Sequence, residues 1–224
     1  MVKTLEKKII FPKFASHNTK QKKKREKIMK KILMMLFMLP LMSIAQVKDA
    51  KYVAKDAVPV ENGRVIFTKE FKVPMTSTEL YTALQEWTKE QYAPVKEMPN
   101  HQILEGNPET LEVAARGEEW LVFTNKFLSL DRTRLYYRIS LSCYDQKVIA
   151  RIFDIRYWYE EEREGGEKYK AEDWITNEWA LNKKGTKLAK KSGKFRRMTI
   201  DRMEEIFTSI ETFINRKAIN NIMQ

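Results

Sequence analysis

Thirteen residues near the middle of the chain, RTRLYYRISLSCY (132–144), alternate with period two without a break. Leu135, Tyr137, Ile139, Leu141 and Cys143 share one phase. Arg132, Arg134, Tyr136, Arg138, Ser140 and Ser142 share the other. Successive side chains of a strand point to opposite faces, so the pattern commits this segment to a strand with one apolar and one polar face. Strands of that kind build antiparallel sheets with one face on a core and the other in water. The rest of the chain must then supply a layer that covers the apolar face.

Two amphipathic segments are suited to that task. Thr76-Ser77-Thr78-Glu79 has the spacing of a capping box. Leu80, Ala83, Leu84 and Trp87 follow at helical spacing, and the helix should stop before Pro94. The second helix is expected from Thr199 to about Lys217, with Ile200, Met203, Ile206, Phe207, Ile210, Phe213 and Ile214 on one stripe. Asp201, Glu204 and Glu205 are expected in its first turns, where the helix dipole favours acids.

Between the helices the chain reads as strands. Asn62-Gly63 signals a hairpin ahead of an extended run from Arg64 to Val73. Weak strand character at 101–105 precedes an alternating run at 110–116. Gly117 is expected to punctuate before another strand at 119–127. A turn at Asp145-Gln146 leads into a long partner strand, in which Arg151 falls in the phase of Ile149, Phe153 and Ile155. Residues 160–173, polar and containing Gly165 and Gly166, read as a loop. A short helix or turn docking Trp174 and Trp179 follows. KKGTKLAKKSGKFRR (183–197) then reads as a solvated connection with turns at Gly185 and Gly193. The expected fold is a two-layer α+β domain over 61–217, an antiparallel sheet of about five to six strands under two amphipathic helices, with a tail at 218–224.

A formal net charge of +12 suggests a nucleic-acid partner until its distribution is examined. Residues 1–45 hold 12 of the 42 Lys and Arg but only 2 of the 30 Asp and Glu. The remainder is close to neutral, so the basicity belongs to the front of the chain. There, Lys30-Lys31 precedes an apolar run from Ile32 to Ala45 that ends in the small-x-small site Ser43-Ile44-Ala45. Its length falls short of the roughly 20 residues a membrane-spanning helix needs. Residues 29–45 are therefore expected to be a signal peptide, cleaved between Ala45 and Gln46. Residues 1–28 read as a basic extension or as a start-site artefact upstream of Met29, and 46–60 as a lead-in. Cys143, alone, forms no internal disulfide and reads as a small buried hydrophobe.

The strings VIFTKEFKVP, DRTRLYYRISLSC, FDIRYWYEE, WITNEWALNKKGTKL and SGKFRRMTIDRMEEIF together resemble the DUF4468 family over about residues 57–214. That resemblance implies exported proteins of Bacteroides-type bacteria with a TATA-binding-protein-like (TBP-like) fold, a curved antiparallel sheet capped by helices. It implies no activity and no catalytic residues.

The residues themselves point away from the commonest chemistries. The chain contains no Gly-rich phosphate loop, no C-x-x-C pair and no H-E-x-x-H. His101, the one histidine after residue 45, reads as a surface residue on the weakest strand. No catalytic residue, metal site or cofactor is expected. The candidate ligand platform is the sheet's polar face, Arg132, Arg134, Tyr136 and Arg138 with Arg156 and Trp158 on the next strand, joined by Asp154, Glu112 and Arg116. Arg forks grip carboxylate or phosphate and aromatic rings pack on planar groups; the same residues also suit ordinary cross-strand ion pairs. The expected function is an exported, non-enzymatic binding or structural module of the bacterial cell envelope. Its partner would be an envelope protein, a glycan or an anionic ligand, with membrane contact only during export and no nucleic acid. A carboxylate-dependent hydrolase is the alternative. Nucleic-acid binding through the basic stretch or the sheet face ranks below it.

Overall fold

In a computed structural model of the chain, residues 50–127 and 129–223 are described. The residues read as a basic extension and as a signal peptide, with the expected Ala45–Gln46 junction, and the first residues of the lead-in lie outside them. The strands begin with a two-stranded hairpin, β1 (Val60–Glu61) and β2 (Arg64–Val65). Asn62 and Gly63 both have positive φ, 51° and 76°, as the expected turn type requires. β3 (Phe67–Lys72) and α1 (Ser77–Gln91) follow, then β4 (Gln102–Asn107), β5 (Glu112–Lys126), β6 (Ser129–Tyr144), β7 (Lys147–Tyr159) and β8 (Glu167–Lys170). The chain ends in α2 (Asn177–Ala180) and α3 (Ser192–Ile222).

β3, β7, β6, β5 and β4 form one sheet in that order, every pairing antiparallel. β8 joins β7 on the edge that carries β3. β3 pairs with Lys147–Ile152 and β8 with Arg156–Tyr159, so one long strand serves two short neighbours in succession.

α1 and α3 cover one face of this sheet. The expected stripes are the buried ones: Leu80, Ala83, Leu84 and Trp87 of α1, and Ile200 through Ile214 of α3, meet Leu135, Tyr137, Ile139, Leu141 and Cys143 of β6. Full burial of one such aliphatic or aromatic side chain contributes about 1.5–3 kcal/mol. The α1 capping box is present, with the Glu79 N–H donating to Thr76 Oγ1 at 3.3 Å and the Thr76 N–H to Glu79 Oε2 at 2.8 Å. Burial pushes the Cys143 thiol up to about 12, which suits a packing residue and not a nucleophile.

Several local expectations are corrected. Gly117 does not divide two strands; β5 runs straight through it. A methyl at Gly117 would fall 2.1 Å from Cζ of Tyr137, so the glycine is there to admit that ring. The segment read as a loop at 160–173 contains β8, in which Tyr169 pairs with Tyr157 and stacks on Trp174 at 3.8 Å. Gly193 lies in the first turn of α3, packed against Cβ of Leu188, and marks no turn. Because α3 begins at Ser192, Asp201 and Glu204 sit well inside it, where both meet Lys51 and Asp201 also accepts from Tyr52. The basic stretch is thus half connection and half helix. Its Arg196 is fully buried and donates to the carbonyls of Tyr52, Ala54 and Ile175.

The phase of β7 is the correction that matters most for the polar face. Val148, Ala150 and Ile152 point into the core, not Ile149, Arg151 and Phe153. A bulge then intervenes, since Tyr136 pairs with Arg156 but Arg138 pairs with Phe153. Asp154 at this bulge has φ 55°, a left-handed conformation that few non-glycine residues adopt. Beyond it the buried residues are Ile155 and Tyr157. The extra residue is therefore what turns Arg156 and Trp158 onto the polar face.

Candidate functional site

The structure divides five of the six candidate residues of the polar face into two groups, while the sixth, Arg138, pairs with Asp154. Arg132 and Arg134 belong to a closed network at one end. Trp120 pairs in register with Arg134, and both guanidinium groups lie over its ring, at 3.8 Å for Arg132 and 4.7 Å for Arg134. Arg134 donates to Glu161 at 2.7 Å, to Glu118 at 2.7 Å and to the Glu97 carbonyl at 3.0 Å. Glu118 is 2% exposed and also accepts from the backbone and side chain of Asn100. The segments carrying Glu97–Asn100 and Glu160–Glu162 thus fold over this end of the sheet. Its arginines are spent on ion pairs, and the Glu161 and Glu118 carboxylates push the Arg134 guanidinium up.

The other end is open. Tyr136, Arg156 and Trp158 line a cleft of about 390 Å³ together with Arg116, Lys168 and Lys170. That volume falls within the range of small-molecule sites. Among the described residues no carboxylate lines it. The Trp158 indole N–H donates to the Gly165 carbonyl at 2.7 Å, and Lys168 Nζ lies 4.8 Å from the ring centroid. Both contacts fix the ring as a wall. Burial and the Glu118 carboxylate push the Tyr136 phenol up to about 12, so it stays a neutral donor and acceptor at physiological pH.

Strand register explains the concentration of charge. Arg116 lies directly opposite Arg138, and Arg156 directly opposite Lys170. Like charges in register across a sheet destabilise it. One carboxylate, Asp154 at the bulge, answers two of the four cations, at 3.4 Å from Arg138 and 3.3 Å from Arg156. Neither Arg116 nor Lys170 has a carboxylate partner among the described residues, and Arg116 Nε is buried without a hydrogen-bond partner. The face is arranged as if an anion belonged between the strands.

Lys168 and Lys170 escaped the sequence reading because Glu167–Lys170 offers a single apolar residue, Tyr169, as strand signal. The alternation of lysine, tyrosine and lysine was the only cue. His101 is no free surface residue: it stacks on Tyr92 at 5.2 Å, its Nε2 meets the Gln91 carbonyl at 2.9 Å, and Nδ1 accepts from the Glu118 N–H. It ties the end of α1 to β5. Elsewhere, an open groove of about 750 Å³ between α1 and α3 is lined by Glu90, Asp201, Glu204 and Glu205. Three of these carboxylates already meet Lys51 or Arg202, so they form no free acid–base pair.

An antiparallel sheet of this order, with its helices on one face and the other face open, is a TBP-like α+β architecture. The family model described as a domain of unknown function (DUF4468) with TBP-like fold matches residues 67–158. The crystal structure of a DUF4468 family protein from Bacteroides ovatus is 36% identical, with a TM-score of 0.67 over 74% of this chain and 94% of that one. A TBP-like protein from Parabacteroides distasonis shares the fold, at 21% identity and TM-score 0.59, over 71% of this chain and 97% of that one. The chain belongs to the DUF4468 family. No curated protein sequence matches it significantly.

Proposed function

We propose that this protein is an exported, non-enzymatic binding module of the bacterial cell envelope, and that it holds an anionic ligand in the open cleft of its polar sheet face. The observation that carries the ligand reading is the pair of like-charge cross-strand contacts, Arg116 with Arg138 and Arg156 with Lys170, three of whose members line a cleft that no carboxylate among the described residues lines. An anion seated there would remove the repulsion and gain charge-assisted hydrogen bonds. Export rests on the charged, apolar and small-residue order of residues 29–45. A near-neutral remainder of the chain fits an envelope partner better than a nucleic-acid one.

A site built on uncompensated charge has a signature that a structural ion pair lacks. Arg116→Gln and Lys170→Gln are each expected to leave stability unchanged or raise it by about 0.2–1 kcal/mol, because each removes a like-charge pair. The same variants should lose capture of the partner from envelope fractions. Denaturant midpoints and a pull-down with the purified protein check both halves. A loss of more than about 1 kcal/mol, twice the usual range of about 0.5 kcal/mol for a surface change, with capture intact would make these residues structural and remove the site.

A further inference from the structure

We infer that the ligand is an acidic oligosaccharide spanning two contiguous clefts, an inference that rests on the anion-site reading above. A second cleft of about 580 Å³ shares Arg156 and Lys170 with the first, so the two adjoin along β7 and β8. It is lined in addition by Arg64 and Arg138 and, unlike the first, by the carboxylates Asp154, Glu172 and Asp173. Asp154 is held by Arg138 and Arg156 and Glu172 Oε1 accepts from the Val65 N–H, so Asp173 is the carboxylate placed to take a donor, and the occupant is expected to combine anionic groups with hydrogen-bond donors.

That pairing selects among polyanions. A phosphodiester chain and a polyuronate both carry a charge at every repeat, but the phosphodiester backbone has no hydroxyl donors with which to offset repulsion from the carboxylates of the second cleft. A sugar ring carries several hydroxyl groups, each a donor as well as an acceptor, and these suit carboxylates and guanidinium groups side by side. A uronate or sulfate group then occupies Arg116, Arg156, Lys168 and Lys170, with Tyr136 and Trp158 as apolar walls against the ring. Neighbouring rings extend over Arg64 and Asp173. A chain that reaches both clefts gains affinity because its second contact is intramolecular.

The test titrates the purified protein by calorimetry with galacturonate, tetragalacturonate, neutral maltotetraose and an oligothymidylate. Tetragalacturonate is expected to bind at least tenfold tighter than galacturonate, and maltotetraose not at all. Arg64→Ala and Asp173→Asn, which touch only the second cleft, should reduce the tetramer to the affinity of the monomer and leave the monomer unchanged. Arg116→Ala should abolish both. Circular dichroism verifies that each variant is folded. Equal affinity for monomer and tetramer would overturn the two-cleft inference and leave the anion site standing. Tighter binding of oligothymidylate would overturn it in favour of nucleic acid. Absence of binding by any acidic probe would sink the inference and the anion site together.

Discussion

Arg196→Ala is expected to cost about 4–5 kcal/mol, a large part of the stability of a single domain. Arg196 is 0% exposed, and its guanidinium donates at 2.6 Å to Tyr52 O, 2.9 Å to Ile175 O and 3.0 Å to Ala54 O. Burial pushes that guanidinium down to about 10, still charged at neutral pH. Truncation opens a cavity and strands the Tyr52 and Ile175 carbonyls, each of which costs about 1–3 kcal/mol when left unpaired, while Ala54 O keeps the Ala57 N–H at 3.2 Å. The three acceptors belong to the lead-in and to the segment before α2, so a side chain that reads as solvated charge clamps two separate stretches of the chain to α3. Arg196→Lys should recover less than half of the loss, because an ammonium on a flexible stem cannot match a planar fork aimed at three carbonyls. Urea midpoints measure it. A loss below about 1.5 kcal/mol would mean that the clamp is dispensable.

Arg134→Ala is expected to cost about 3–5 kcal/mol, since it leaves the buried Glu118 carboxylate and the largely covered Glu161 without their cation. For a domain of this size that lowers Tm by roughly 10 °C. The network also sets an acid limit. Burial raises the Glu118 carboxyl, but its hydrogen bonds from Asn100 and its contact with Arg134 outweigh that and hold it below the ordinary value of 4.5. The unfolded chain then takes up the proton more readily than the folded one. The pair's contribution is therefore present in full above the ordinary carboxylate value and is lost as the pH falls through the lower folded value. Glu118→Gln should flatten the fall in Tm below pH 4.5. An unchanged slope would assign acid sensitivity to other carboxylates. Arg134 was a candidate ligand residue by strand parity, and its partners make it a structural one.

Strand parity carried the reading a long way at β6, where thirteen residues alternate without interruption and each falls on the face it should. It failed at β7 because a bulge inverts the phase after Ile152, and a bulge leaves no compositional mark there. The one hint was Arg151 appearing among apolar residues of its phase, which signals a shift in phase somewhere along the strand. The helix stripes were equally legible, since burying them requires only the 3.6-residue period. The start of α3 was not, because Lys191, Ser192 and Gly193 look like a turn until Leu188 is seen packing against Gly193. Much of the cleft was visible as Arg116, Tyr136, Arg156 and Trp158. Lys168 and Lys170 were hidden by a strand whose formation depends on tertiary contacts, the pairing of Tyr169 with Tyr157 and its stack on Trp174. What separates Arg132 and Arg134 from the open site is likewise tertiary: the acidic segment at Glu160–Glu162 folds back over them.

The most direct test of the polar face as the ligand site is an NMR titration of the ¹⁵N-labelled protein with tetragalacturonate, read at the indole N–H signals. Trp158 lines the cleft and Trp87 lies on the helix side, where its indole donates to Ser209. The Trp158 signal is expected to move with saturation while Trp87 stays fixed. A Trp87 signal that moves while Trp158 stays fixed, or no movement of Trp158 at saturation, would contradict the assignment of the ligand to this face.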